Sequence, residues 1–172
     1  MGAGVTWEYV DQFGTERLRA LVNVDSEPSP FQQEDYEFGR MGLAELSNTF
    51  VEIQTAHLRL IERENELLLK DSPTRELETM MLDEVSRTPP PIKSAIYTDI
   101  LREPPDVFSE IDVPMLVCAG ADEKWRSVES VERVAELVPD SRFELFEESG
   151  HCITIEEPER FNQVVSDFVT SI

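Results

Sequence analysis

The period of the apolar positions changes along the chain, and each change marks a change of element. The run Val5-Thr-Trp-Glu-Tyr-Val10 has helical spacing and is closed by Gly14. Residues 18–24, Leu-Arg-Ala-Leu-Val-Asn-Val, then form a short valine-rich run bounded by Asp25-Ser-Glu-Pro-Ser-Pro30, which predicts a buried strand and a loop. A helix leading into a buried strand predicts a parallel α/β layer. From Phe31 to about Pro105 the period is helical, clearest over residues 43–69, with two further stretches after Ser72-Pro73 and Pro89-Pro-Pro91. This segment reads as a helical insertion, and Pro104-Pro105 separates it from the last third of the chain. There the pattern alternates again: strand Val113-Pro-Met-Leu-Val-Cys-Ala119, a helix over 128–137, strand Arg142-Phe-Glu-Leu-Phe146, and an amphipathic helix through Phe161, Val164, Val165 and Phe168. Strand, helix, strand, helix predicts right-handed parallel crossovers. The expected organisation is a core α/β segment over 1–30, the helical insertion over 31–107 and a second core segment over 108–172.

Composition adds one strong constraint. The 172 residues, 40% apolar, are one domain's worth of chain. Thirty-six acidic residues against fifteen basic ones leave a net charge of -21. Nucleic acid is therefore not an expected partner. Only Lys70, Lys93 and Lys124 are lysines, the other basic residues being arginines, and this pairing of acidity with few lysines points to a halophilic cytoplasm. Self-repulsion at such a charge weakens a compact state in dilute buffer, and salt screens it. An acidic interaction surface is the alternative reading, although the acids are spread along the chain. Nothing resembles an export signal or a membrane span of about 20 apolar residues, so no membrane partner and a cytoplasmic location are expected. Cys118 and Cys152 make no disulfide framework and lack partners at metal-ligand spacing; both read as ordinary small apolar residues, and no metal is expected. His57, in Glu52-Ile-Gln-Thr-Ala-His57, is placed on or beside an apolar helix face.

Candidate chemistry collects on loops. In an open parallel sheet these lie at the carboxyl ends of strands, here Asp25 to Pro30, Gly120-Ala-Asp-Glu-Lys124 and Glu147-Glu-Ser-Gly-His151. The second offers a carboxylate and the third an imidazole, the combination that fixes a histidine's tautomer during nucleophilic catalysis. Taken alone, His151 reads equally well as a surface histidine.

These segments resemble the α/β-hydrolase family over essentially the whole chain. Ile111-Asp-Val-Pro-Met-Leu-Val-Cys-Ala-Gly120 followed by an acidic pair looks like that family's strand and acid loop, and Glu148-Ser-Gly-His151 through Glu157-Pro-Glu-Arg-Phe161 is similar to its histidine loop and closing helix. The resemblance implies an α/β fold, the C-terminal part of an α/β-hydrolase, with a parallel sheet, flanking helices and a helical cap over 31–107, and without the N-terminal strands. The overall look is nearest the esterase and cofactor-free haloperoxidase-like branch. It implies cofactor-free hydrolysis of an ester-like or other carbonyl small molecule, with His151 as base and Glu123 or Asp122 as its acid; Asp25 is a third choice, because the family sometimes places its acid after the earlier strand. Met1-Gly2-Ala3-Gly4 looks like the second half of the family's Gly-x-Ser-x-Gly turn. Met1 would then follow the nucleophile and donate to the oxyanion hole, with the serine one residue upstream and the chain inactive alone. A non-catalytic remnant or interaction module is the alternative, and an exposed sheet edge would open it to self-association. Phe31, Tyr36, Phe38 and Met41 are placed either in a substrate pocket or in the core.

Overall fold

A computed structural model describes residues 2–32, 38–39, 41–99 and 106–172. Helix α1 (Gly2–Phe13) ends at Gly14, whose φ of +66° suits glycine at a helix C-terminus. Strand β1 (Leu21–Val24) is shorter than the apolar run suggests, because residues 15–18 turn on a hydrogen bond from Leu18 N–H to the Thr15 carbonyl. Strands β2 (Met115–Gly120) and β3 (Ser141–Phe146) complete a parallel sheet in the order β1-β2-β3, with Leu21 opposite Met115 and Met115 opposite Ser141.

Burial explains why β2 reads as an unbroken apolar run. All six of its residues are buried, and alternate ones serve different cores. Met115, Val117 and Ala119 join Trp7 and Val10 of α1 and Val131 and Val134 of α6 (Val128–Leu137). Leu116 and Cys118 join Phe146, Ile153 of the short α7 (Ile153–Glu156), and Val164 and Phe168 of α8 (Pro158–Ser171). Edge-on packing of Trp7 against Phe108, with ring centroids 4.9 Å apart, closes the first core.

Between β1 and β2 lie α2 (Leu43–Thr55), α3 (His57–Asn65), α4 (Arg75–Ser86) and α5 (Pro90–Asp99). Helices α2, α3 and α5 pack on a separate core that includes Leu46, Ile53, Leu60 and Tyr97, and α4 lies against α3 without a buried residue of its own. The helical pattern over 43–69 is thus two helices, broken at Ala56 (φ -146°, ψ 38°). Leu46, Ile53 and Leu60 are seven residues apart and share a face whether or not the axis continues, so the periodicity does not register the break. His57 opens α3 half-buried, with its Nε2 buried and without a hydrogen-bond partner among the described residues. Met41 is buried and Phe31 partly so, as core residues are, whereas Phe38 is exposed; Tyr36 lies outside the described residues. Among the described residues no helix is long and apolar enough to cross a membrane.

The acid and histidine loops meet at two glycines. A Cβ on Gly120 would lie 2.0 Å from the Gly150 carbonyl oxygen, and one on Gly150 would lie 2.7 Å from the Lys70 nitrogen. Both contacts are with backbone, which cannot swing aside. Gly120→Ala should therefore destabilise the protein by about 2–4 kcal/mol, as strain at a close backbone approach. A thermal melt of the variant within about 2 °C of the parent would contradict this close approach.

Candidate active site at the carboxyl ends of the strands

Three loops converge where the parallel strands end. Asp25 follows β1 with its N–H on the Cys118 carbonyl at 2.8 Å, and its φ of +50° is the one positive value at a non-glycine residue among the described residues. After β2, Ala121 N–H donates to the Phe146 carbonyl and Asp122 N–H to the Ser149 carbonyl, which locks the acid loop against the histidine loop. The histidine loop is held from behind by two carboxylates. Glu156 accepts from Gly150 N–H (2.8 Å) and Lys70 N–H (2.6 Å), while Glu157 accepts from Glu148 N–H and from the Ser149 hydroxyl. Ser149 is fully buried in that contact.

This scaffold brings His151, Glu123 and Asp25 together. His151 Nδ1 lies 2.8 Å from Glu123 Oε2 and 3.0 Å from Asp25 Oδ2. The carboxyl groups are 0% and 1% exposed, and the imidazole is 25% exposed. The other Glu123 oxygen accepts from Trp125 N–H at 2.5 Å. Asp122 is not brought to the histidine. Its carboxylate, 46% exposed, pairs at 2.8 Å with Lys70, which also pairs with Glu148. The reason lies in the segment after α3: Lys70 reaches over the loop, while Lys124 Nζ donates back to the Leu69 and Lys70 carbonyls. Met1 lies outside the described residues.

Burial and sharing set the protonation pattern. Burial pushes Asp25 up to about 7, helped by its contact with Glu123 and only partly offset by His151. Burial opposes ionisation of Glu123 as well, but hydrogen bonds to His151 and Asp25 bring it down to about 2. Burial also works against the charged imidazole, and the two carboxyl groups overcome it, raising His151 to about 9. The stability consequence has a definite sign. A raised folded-state value for His151 contributes stability that is complete below its ordinary 6.5 and is lost as pH rises through 9. The raised Asp25 acts the same way between 3.8 and about 7, whereas the lowered Glu123 adds stability above 4.5 that is lost only on acidification toward 2. The melting temperature should therefore fall between pH 6.5 and 9, and a flat profile over that window would contradict the cluster.

Two more buried charges support the site. Arg126 Nη1 lies 2.5 Å from Glu27 Oε2, both side chains being under 10% exposed, and its Nε is 4.0 Å from Glu123. Neither residue stands out in the sequence; the only available signal is opposite charge on two loops at the same end of a parallel sheet. Cys152, beside the histidine, has its thiol pushed up to about 11 by burial, and Cys118 reaches about 12, so both stay protonated at neutral pH. Asp25, Glu123 and His151 offer ligand atoms all within 4.8 Å of one another, the donor set a divalent cation would use if it replaced the Nδ1 proton. His151 also lines a groove of about 450 Å³ with Ala3 and Thr6 of α1 and with Val22 and Val24 on the outer edge of β1.

No family model matches the chain. A stretch of 64 residues is 41% identical to a Bacillus subtilis (strain 168) protein named for a 2-succinyl-6-hydroxy-2,4-cyclohexadiene-1-carboxylate synthase, covering 37% of this chain and 23% of that protein. Among solved structures, an esterase from Exiguobacterium antarcticum superposes with a TM-score of 0.85 at 23% identity, over 97% of this chain and 63% of that one. A bromoperoxidase from Bacillus anthracis superposes with a TM-score of 0.91 at 17% identity, over 99% and 64%. The chain thus spans less than two thirds of these proteins.

Proposed function

We propose, on the premise that this chain carries the fold of the C-terminal part of an α/β-hydrolase, that it supplies the base and acid of a serine-type hydrolase acting on an ester-like or other carbonyl small molecule. The observation that carries the reading is the Glu123–His151 contact at 2.8 Å on loops at the carboxyl ends of adjacent strands. Esterases and other hydrolases among the structural neighbours support the reaction class. In this reading His151 takes the proton of the attacking serine and returns it to the leaving group, while Glu123 fixes the tautomer and stabilises the imidazolium. Asp122 is assigned to the Lys70 ion pair instead. The serine and a second oxyanion donor are assigned to sequence corresponding to the part of the solved relatives that these residues do not span, and Met1 is kept as the other oxyanion donor. A salt-rich cytoplasm accords with the acidic composition.

A second reading, a non-catalytic module that associates through a sheet edge, draws on the outer edge of β1, where Val22 is 39% exposed. One experiment separates the two. In molar KCl, a fluorophosphonate probe and short p-nitrophenyl esters are offered to the 172-residue chain and to protein expressed with the upstream genomic sequence. Labelling and hydrolysis are expected only in the second, on a serine outside these residues. Label on a serine within them would overturn the assignment of the nucleophile, and inertness of both proteins would overturn the hydrolase reading.

A further inference from the structure

Two of the three lysines in this acidic chain meet at one place, where the segment after α3 crosses the loop after β2. Lys124 is the residue next to Glu123, and its Nζ donates to the Leu69 carbonyl at 2.9 Å and to the Lys70 carbonyl at 2.7 Å. Cys152 is the residue next to His151, and its N–H donates to the Leu68 carbonyl at 3.0 Å. The carboxylate and the imidazole are thus each followed by a residue that bonds to the same short segment, 68–70. Glu156 adds a further link on the histidine side, since it accepts from both Gly150 N–H and Lys70 N–H. The packing there is direct: a Cβ on Gly150 would stand 2.7 Å from the Lys70 nitrogen and 2.9 Å from the Leu69 carbonyl carbon.

Holding the two loops together does not require this segment. The backbone bonds from Ala121 to Phe146 and from Asp122 to Ser149 already join them. Those bonds stop one residue short of Glu123 and two short of His151, and the next anchors on either side, Lys124 and Cys152, are made to residues 68–70. The Lys70 ammonium contributes less, because its partners Asp122 and Glu148 face solvent, where salt screens the pairs. An ammonium shared by two peptide carbonyls, one of them on buried Leu69, is a charge-assisted contact that sets the spacing of segment and loop.

We propose that Lys124 is a positioning residue for the Glu123–His151 pair, acting through residues 68–70 as a post against which both loops are set. This rests on the reading of that pair as acid and base. No bond other than hydrogen bonds is made or broken. Lys124 acts on where Glu123 stands, so its loss is expected in turnover and not in substrate binding.

Lys124→Met removes the donors, and Lys124→Arg returns them on a side chain of similar reach. Arg133→Met removes an exposed cation on α6 and controls for net charge. Two readouts are taken in molar KCl. In protein expressed with the upstream genomic sequence, Lys124→Met is expected to lower kcat for short p-nitrophenyl esters about tenfold with KM within about twofold, and Lys124→Arg to restore about half of the parental kcat or more. In the 15N-labelled 172-residue chain, the His151 Nδ1 proton of Lys124→Met should exchange with water at least about fivefold faster than in the parent, while the β2 amides stay within about twofold. Arg133→Met should match the parent in both readouts. Unchanged Nδ1 exchange in Lys124→Met would overturn the proposal, and so would a rise shared by the β2 amides, which marks plain destabilisation. Should Lys124→Met fail to fold, the parent decides: the Cys152 and Lys70 amides are expected to be protected to within about tenfold of those of β2, and exchange at the unprotected rate would overturn the post. Protein inert to esters would sink the hydrolase reading and leave the exchange result readable, whereas active enzyme with unchanged Nδ1 exchange would sink the role of Lys124 alone.

Discussion

Replacing His151 by alanine is expected to lower kcat for short acyl esters at least about 10³-fold in protein that carries its nucleophile, with KM little changed. The substitution removes the one group that can accept the serine proton, and none of the neighbouring groups can replace it. Cys152 next in the chain keeps its thiol protonated, and Ser149 is committed to Glu157. The parent's pH–rate profile carries the same argument. Because Asp25 and Glu123 hold His151 up to about 9, the fraction of neutral imidazole, and with it the rate, should climb through pH 8–9 and not level off near 7. An alanine variant retaining a tenth or more of parental kcat would sink the assignment of His151. Glu123→Gln should cost far less than His151→Ala, since Asp25 remains within 3.0 Å of Nδ1.

Arg126→Met should be the most destabilising substitution among the buried charges, by about 3–5 kcal/mol, because it strands Glu27 in a site where its side chain is 3% exposed. The loss is the cost of an uncompensated buried carboxylate and not the worth of the pair itself. Arg126→Met combined with Glu27→Leu should accordingly recover most of it. Urea melts in molar KCl would measure both, with the slope compared so that a shifted midpoint can be read as stability. A single variant within about 1 kcal/mol of the parent would show that the pair is not buried in solution. Removing Arg126 should also raise His151 further, since the guanidinium works against the charged imidazole.

The apolar patterns of β2, β3, α6 and α8 were legible because each is set locally. A fully buried strand such as β2 must be apolar at every position, an edge strand such as β3 alternates, and a helix on one sheet face must be apolar at every third or fourth. The ends were less so: the turn at Thr15–Leu18, with its Leu18 N–H to Thr15 carbonyl bond, and the break at Ala56, a change of φ and ψ at one residue, leave no periodic trace.

For the site, the residues alone supplied the types and the loops. His151 follows β3, the acidic pair follows β2 and Asp25 follows β1, and a parallel sheet gathers such loops at one end. Chain order could not choose among Asp122, Glu123 and Asp25, because adjacent loop residues differ in direction by what captures them. Only the tertiary structure shows which of them reach the imidazole: Lys70 pairs with Asp122 away from it, while Glu123 lies 2.8 Å from Nδ1 beside the close approach of Gly120 and Gly150. The same packing brings Asp25, 126 residues away, to the same nitrogen. Sequence determined which residue types were available; burial and long-range contact determined which of them meet at His151 Nδ1.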